Sequence, residues 1–267
     1  MTRGAILFAF NSEKFNYYDM AAYTAKRIEH FLDLPVTLVT DEQSIPKKSS
    51  YAFDKVITVE PDKSNVREWG VWINKGRYQA YDLSPYDETL LLDVDYMVNS
   101  DRLLKIFDHY DDFACHEDTY FMMEHTQYKE HLSAKSFKTL WATAVGFKKT
   151  KRVENIFESI KMIQNNYEHY AYIHGFLDGS FRNDFALTLA LRLVNGHTLL
   201  DRDIIPWNLT HISKGIQVIP NTNKKFNTEY TVIYDHWKRG KLRKEYIIIK
   251  DFDFHVINKD IFVELMQ

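Results

Sequence analysis

The chain has one cysteine, Cys115, so no disulfide can close within it and nothing in its thiol content points to an oxidising compartment. Long apolar runs are missing as well. The opening MTRGAILFAFN is apolar for only about six residues before Asn11, Glu13 and Lys14 intervene, too short for a signal core or a membrane span. It reads as a first β-strand, and the expected setting is the cytoplasm. The sequon Asn208-Leu209-Thr210 then has no secretory route to serve it. A basic excess is missing too. A formal net charge of −3 excludes a surface built throughout to attract nucleic acid and leaves only local patches. The absence of Gly-x-Gly-x-x-Gly and of a Walker loop disfavours dinucleotide oxidoreductases and P-loop enzymes. Eleven histidines with one cysteine show no zinc spacing. Without repeats or a low-complexity linker, residues 1–267 read as one domain, with a nucleotide-binding half over about 1–100 and an acceptor-binding half over about 101–267.

What is present is enough for a core. Hydrophobic residues make up 45% of 267, which fills one large domain. Residues 5–10 form an apolar strand. Positions 17–31 carry helical spacing through Met20, Tyr23, Ala25, Ile28 and Phe31, and Pro35 precedes a second strand at 36–40. A third strand is expected at 53–59 and a helix over about 76–82 that stops near Pro85. Residues 89–94 are an unbroken run of strand formers, as in a strand covered on both faces. This alternation predicts an α/β fold with a mainly parallel sheet flanked by helices. Further on, 117–139 reads either as a flexible loop or as a pair of short helices. Residues 141–147 read as a strand, 153–167 as an amphipathic helix, and 185–194 as a helix ended by Asn195-Gly196. Residues 230–237 and 242–250 flank Lys238-Arg239-Gly240-Lys241, giving a C-terminal antiparallel hairpin with a basic tip that is either a solvated turn or a contact for a phosphate-rich acceptor.

The segment LLLDVDYMV, residues 90–98, runs a buried strand straight into two carboxylates one residue apart. Ligands of open α/β sheets bind beyond the carboxyl ends of the strands, and strand alternation would put Asp93 and Asp95 on one side there. Hard carboxylate oxygens suit Mg²⁺ or Mn²⁺, and a bound cation accounts for burying them. The alternative is that one aspartate caps a helix starting near Ser100 or Asp101. Asn183-Asp184 precedes another apolar helix, where Asp184 suits a helix cap.

LSPYDETLLLDVDYMV resembles the stretch in the glycogenin-like retaining glycosyltransferases of the GT-A fold, in which a Tyr-Asp loop leads into a strand ending in Asp-x-Asp. WATAVGF (141–147) is similar to that family's Asn-Ser/Ala-Gly-Val strand, and LDGSFRNDFALTLAL (177–191) to its turn, Asp-containing dipeptide and helix. The resemblance implies a sugar transferred from a nucleoside diphosphate donor to an acceptor hydroxyl, with Mn²⁺ or Mg²⁺ as cofactor. It implies Asp93, Asp95 and His255 as metal ligands, and Lys75, Arg77 and Lys259 over the diphosphate. Ala9, Asn11, Tyr17 and Val94 are implied around the donor, with Tyr18 the alternative tyrosine, and Asn183 and Asp184 at the transferred sugar. The family's His-x-x-Gly-x-x-Lys-Pro-Trp is replaced by His255-Val256-Ile257-Asn258-Lys259, which keeps the two residue types at a shorter spacing. The acceptor is a glycan, a protein or a modified DNA base. A metal-dependent nucleotidyltransferase and a non-catalytic binding module are the rival readings, and an inverting enzyme would need a base such as Asp184 or Glu117.

Overall fold

The computed structural model describes residues 1–47, 52–67, 70–121, 126–128, 130–176, 180–213, 215–238 and 241–267. The first half holds β1 (Arg3–Phe8), α1 (Tyr17–Leu32), β2 (Val36–Thr40), β3 (Lys55–Thr58), the short β4 (Val66–Arg67) and β5 (Gly70–Val71), α2 (Ala80–Leu83), β6 (Glu88–Leu92) and β7 (Tyr96–Met97). Next come α3 (Leu104–His109), β8 (Phe113–His116), β9 (Thr119–Phe121), β10 (Thr126–Tyr128), β11 (Trp141–Lys148), α4 (Lys151–Asn165), α5 (Tyr167–His174) and α6 (Asn183–Val194). The chain finishes with β12 (Leu209–Ile212), β13 (Ile216–Pro220), β14 (Glu229–Lys238), β15 (Lys241–Lys250), β16 (Phe254–Val256) and α7 (Lys259–Leu265).

The main sheet runs β3-β2-β1-β6-β11-β8. Its β3, β2, β1 and β6 are parallel, and β11 lies antiparallel to both β6 and β8. This is the mixed, mainly parallel sheet expected. Alternation divides its side chains between two cores. Ala5, Leu7, Leu90 and Leu92 face α1 through Met20, Ala25 and Ile28, whereas Ile6 and Leu91 face α4 and α6 through Val153, Ile156, Ala186 and Leu189. Helix α1 starts where Asn16 Oδ1 accepts the Asp19 N–H at 3.0 Å and ends at Asp33 in a left-handed conformation, φ 52°. Close packing then fixes Gly146 on β11, where an added Cβ would lie 2.4 Å from Ile106 Cγ2 of α3.

The strand order reverses between β1 and β6. That crevice is where ligands of such sheets sit, and the chain leaves it from β6 into β7, the edge strand of a second sheet, β10-β9-β12-β16-β7. Residues 117–139 therefore contain an antiparallel strand pair, β9 with β10, in place of the expected loop or short helices; residues 122–125 and 129 of the segment lie outside the described residues. The expected 76–82 helix is a 3₁₀ turn at Lys75–Gln79 followed by α2. The C-terminal hairpin is present as β14 and β15, paired from Glu229↔Lys250 to Lys238↔Lys241, and Arg239 and Gly240 at its tip lie outside the described residues. No described helix is long and apolar enough to cross a membrane.

Arg27 ties α1 to two distant segments. Its Nε donates to Val98 O at 2.7 Å and its Nη2 to Asn227 O at 2.8 Å and to Asn99 Oδ1, all out of water. His116 at the end of β8 is buried in a different way. Burial first, and the Arg102 charge second, push its pKa from 6.5 down to about 3. The native state keeps this ring neutral while the unfolded chain binds a proton below about pH 6.5, so stability is lost as pH falls from there towards the folded value. The loss is about 1.4 kcal/mol per pH unit. Urea melts of the native chain and of His116→Phe between pH 6.5 and 4.5 should diverge by roughly 2–3 kcal/mol, the native chain losing more. Parallel curves would show that His116 is not held neutral.

Candidate metal and diphosphate site

Strand β6 ends at Leu92, so Asp93 and Asp95 do not lie on it. The Asp93 N–H still donates to Thr143 O on β11 at 2.9 Å, and the chain then turns, with the Tyr96 N–H donating back to Asp93 O at 3.1 Å. The turn, and not strand alternation, brings the two carboxylates together. It feeds into β7, which pairs antiparallel with β16 and places Tyr96 opposite His255. The Val256 N–H donates to Asp95 O at 3.0 Å and locks this register. As a result, ligand atoms of Asp93, Asp95 and His255 all lie within 4.8 Å of one another. His255 Nε2 is 3.2 Å from Asp95 Oδ2 and 4.0 Å from Asp93 Oδ2. Neither aspartate caps a helix, since α3 starts only at Leu104 and has no side-chain cap.

Two cations face the carboxylates. Lys259, the first residue of α7, pairs with Asp95 and also donates to Ile257 O at 3.2 Å. Its placement follows from Asn258, whose Oδ1 accepts the Asp260 N–H at 3.0 Å and starts the helix there. Arg77 pairs with Asp93 and donates through Nη2 to Ala142 O at 2.8 Å. Burial alone would raise the Asp95 carboxyl, but the Lys259 ammonium and His255 outweigh it and hold it below the usual range. For Asp93 burial wins over Arg77, with the Asp95 charge adding to it, and the carboxyl is raised. Burial opposes the charge on Lys259, and Asp95 more than restores it, so that ammonium is raised. Asp95 is therefore the firmly ionised member of the pair. Two carboxylates and an imidazole are a donor set that suits Mn²⁺, and less closely Mg²⁺.

The other expected residues fall into groups. Tyr17 is close enough to feel the site: burial raises its hydroxyl first, Lys259 lowers it, and Asp95 and Asp93 raise it. Tyr18 is instead buried edge-on to Phe53, ring centroids 5.6 Å apart. Ala9 and Val94 are core positions, Ala9 O accepting from Thr40 Oγ1 at 2.5 Å and Val94 O from Thr24 Oγ1 at 2.6 Å. Asn11 serves the chain around it, accepting the Tyr18 N–H at 2.9 Å and donating to Ser44 O at 3.3 Å. Lys75 instead reaches Ser64 Oγ at 2.7 Å, while Arg77 and Lys259 pair with the aspartates. Asn183 donates to Asn74 O at 3.1 Å.

Asp184 does not cap α6. It is the second residue of a helix whose cap position is Arg182, and no side chain makes the cap bond. Its Oδ1 accepts the Ala142 N–H of β11 at 2.9 Å, and its Oδ2 meets Arg182 at 3.3 Å. Ala142 is thus held by Asp184 on its N–H and by Arg77 on its carbonyl, which places Asp184 beside the Arg77–Asp93 pair. Asp184→Ala leaves a half-buried N–H without its acceptor and should cost about 1–3 kcal/mol in urea denaturation, whereas Asp184→Asn keeps an oxygen there and should stay within about 0.5 kcal/mol. Equal stability of both variants would remove Asp184 from the support of β11.

His211, Ala142 and Arg182 were not expected from the sequence. A histidine inside the buried strand Leu209–Ile212 is the one signal that was there to be read.

No protein family and no curated protein matches the chain. Among solved structures it is similar to the galactosyltransferase LgtC in complex with donor and acceptor sugar analogs, with 14% identity and a TM-score of 0.47 over 70% of each chain. It is also similar to the glycosyltransferase GlyE of Streptococcus pneumoniae TIGR4, with 16% identity and a TM-score of 0.41 over 77% of this chain and 46% of that one. Mouse xyloside xylosyltransferase 1 gives 9% identity and a TM-score of 0.46 over 75% of this chain and 86% of that one.

Proposed function

We propose that the chain is a metal-dependent glycosyltransferase of the GT-A type, one domain that moves a sugar from a nucleoside diphosphate donor to an acceptor hydroxyl. One observation carries the reading: Asp93, Asp95 and His255 converge at the switch point of a mainly parallel sheet, with Lys259 and Arg77 already against the carboxylates. Asp93, Asp95 and His255 would hold Mn²⁺ or Mg²⁺, which when bound offsets charge on the departing diphosphate. Arg77 and Lys259 are placed to meet phosphate oxygens, with Lys75 further out. Tyr17 flanks the donor, with Ala9, Asn11 and Val94 forming the wall behind it. The bond from the sugar to the diphosphate oxygen breaks and a bond to the acceptor oxygen forms, with Asp184 and Asn183 on the sugar side. Retention of configuration is part of the reading and rests on the resemblance of residues 83–98 and 141–147.

The test is a product assay with a panel of nucleotide-sugars and Mn²⁺. Release of a nucleoside diphosphate is expected. Pyrophosphate released from a nucleoside triphosphate would identify a nucleotidyltransferase instead, and donor binding without any turnover would identify a binding module.

A further inference from the structure

His255 rests on His211. The two are register partners on the neighbouring parallel strands β12 and β16, with ring centroids 5.0 Å apart and planes crossed at 64°. Their Nδ1 atoms are 2.9 Å apart. Two nitrogen lone pairs cannot face each other at that distance, so one nitrogen donates a proton and the other accepts it. At its far side His255 turns Nε2 towards the aspartates, 3.2 Å from Asp95 Oδ2. An imidazole nitrogen that binds a cation must be free of hydrogen, and the proton of a neutral ring then sits on the other nitrogen.

Resting on the metal-site reading above, we infer that His211 is the positioning residue of that site: its Nδ1 accepts the Nδ1–H of His255 and fixes the tautomer and ring angle in which His255 Nε2 faces the cation. Metal-bound imidazoles commonly donate their second N–H to a carboxylate or a carbonyl. Here the acceptor is a neutral ring. A third carboxylate would add charge to a buried pocket that already holds Asp93 and Asp95, whereas an imidazole accepts the proton without adding any. His211 is out of water and packs on Trp141 with centroids 4.8 Å apart, which limits the rotamers open to it.

The experiment is a Mn²⁺ titration of the purified chain, read as loss of the free-Mn²⁺ electron paramagnetic resonance signal. Native protein, His255→Ala, His211→Leu and His211→Asn are compared, asparagine carrying an acceptor oxygen close to where Nδ1 lies. His255→Ala and His211→Leu should each weaken binding by about tenfold or more, while His211→Asn should stay within about threefold of the native chain. A proton spectrum of the Co²⁺ form supplies a reading that a merely structural role would not move. One paramagnetically shifted, slowly exchanging N–H should be present in the native chain and in His211→Asn and absent from His255→Ala. Native affinity in folded His211→Leu alongside a weakened His255→Ala overturns the role of His211 and leaves the metal site standing. Native affinity in His255→Ala overturns the metal-site reading itself. If His211→Leu does not fold, a Co²⁺ spectrum of the native chain without such a proton overturns the role of His211.

Discussion

Asp95→Asn is expected to lower metal-dependent turnover by more than about 100-fold, beyond what disturbing the support of a metal site costs. Asp95 has the least accessible side chain of the three proposed ligands and is the one held ionised. Its amide would offer the cation a neutral oxygen in place of a charged one. The same substitution removes the partner of the Lys259 ammonium, whose side chain is 18% exposed. Breaking a buried pair from one side costs about 3–5 kcal/mol, so the metal-free variant should melt earlier. The double variant Asp95→Asn/Lys259→Met separates the two effects: without an unpaired ammonium it should recover most of the stability and none of the metal binding. Turnover of Asp95→Asn within twofold of the native chain would rule out the site.

The largest effect away from the site is expected at Arg27. Arg27→Ala would strand Val98 O at the junction of α1, the segment after β7 and the loop before β14, would leave Asn227 O and Asn99 Oδ1 to share the single Tyr230 hydroxyl proton at 2.7 and 3.3 Å, and would open a cavity as well. Each buried acceptor left without a donor costs about 1–3 kcal/mol. A total loss of roughly 4 kcal/mol is therefore expected in urea denaturation, large beside the 5–15 kcal/mol by which proteins are stable. Arg27→Lys should recover only part, because an ammonium cannot span three acceptors in the guanidinium geometry. A loss below about 1 kcal/mol for Arg27→Ala would show that the acceptors it vacates find other donors.

The parallel half of the fold was legible because its signals are local. The apolar run before Asp93 and the helical spacing of 17–31 each name their element within a dozen residues, and α1 and β2 fall where the sequence places them. The second sheet was not legible, since β9 depends on β12 and β12 on β16, pairings that join residues about 119, 210 and 255. Short strands fixed by such distant partners leave little periodicity behind. The two aspartates could be read from residue type and spacing, but His255 was reached through the resemblance, its approach being a product of β7–β16 pairing. The cap that its residue type suited is not made by Asp184 for a similar reason: its acceptor role towards Ala142 joins residues 42 apart in the chain. His211 left only its residue type as a clue, because the sequence does not show which strand lies beside β16.

The most direct measurement is the melting temperature with a nucleoside diphosphate, with and without Mn²⁺. Ligand at 100 times its dissociation constant stabilises the native state by about 2.7 kcal/mol. The account predicts a rise in melting temperature that needs both Mn²⁺ and the nucleotide and that disappears in Asp93→Asn and in Asp95→Asn. An equal rise without Mn²⁺, or one that persists in both variants, would contradict it.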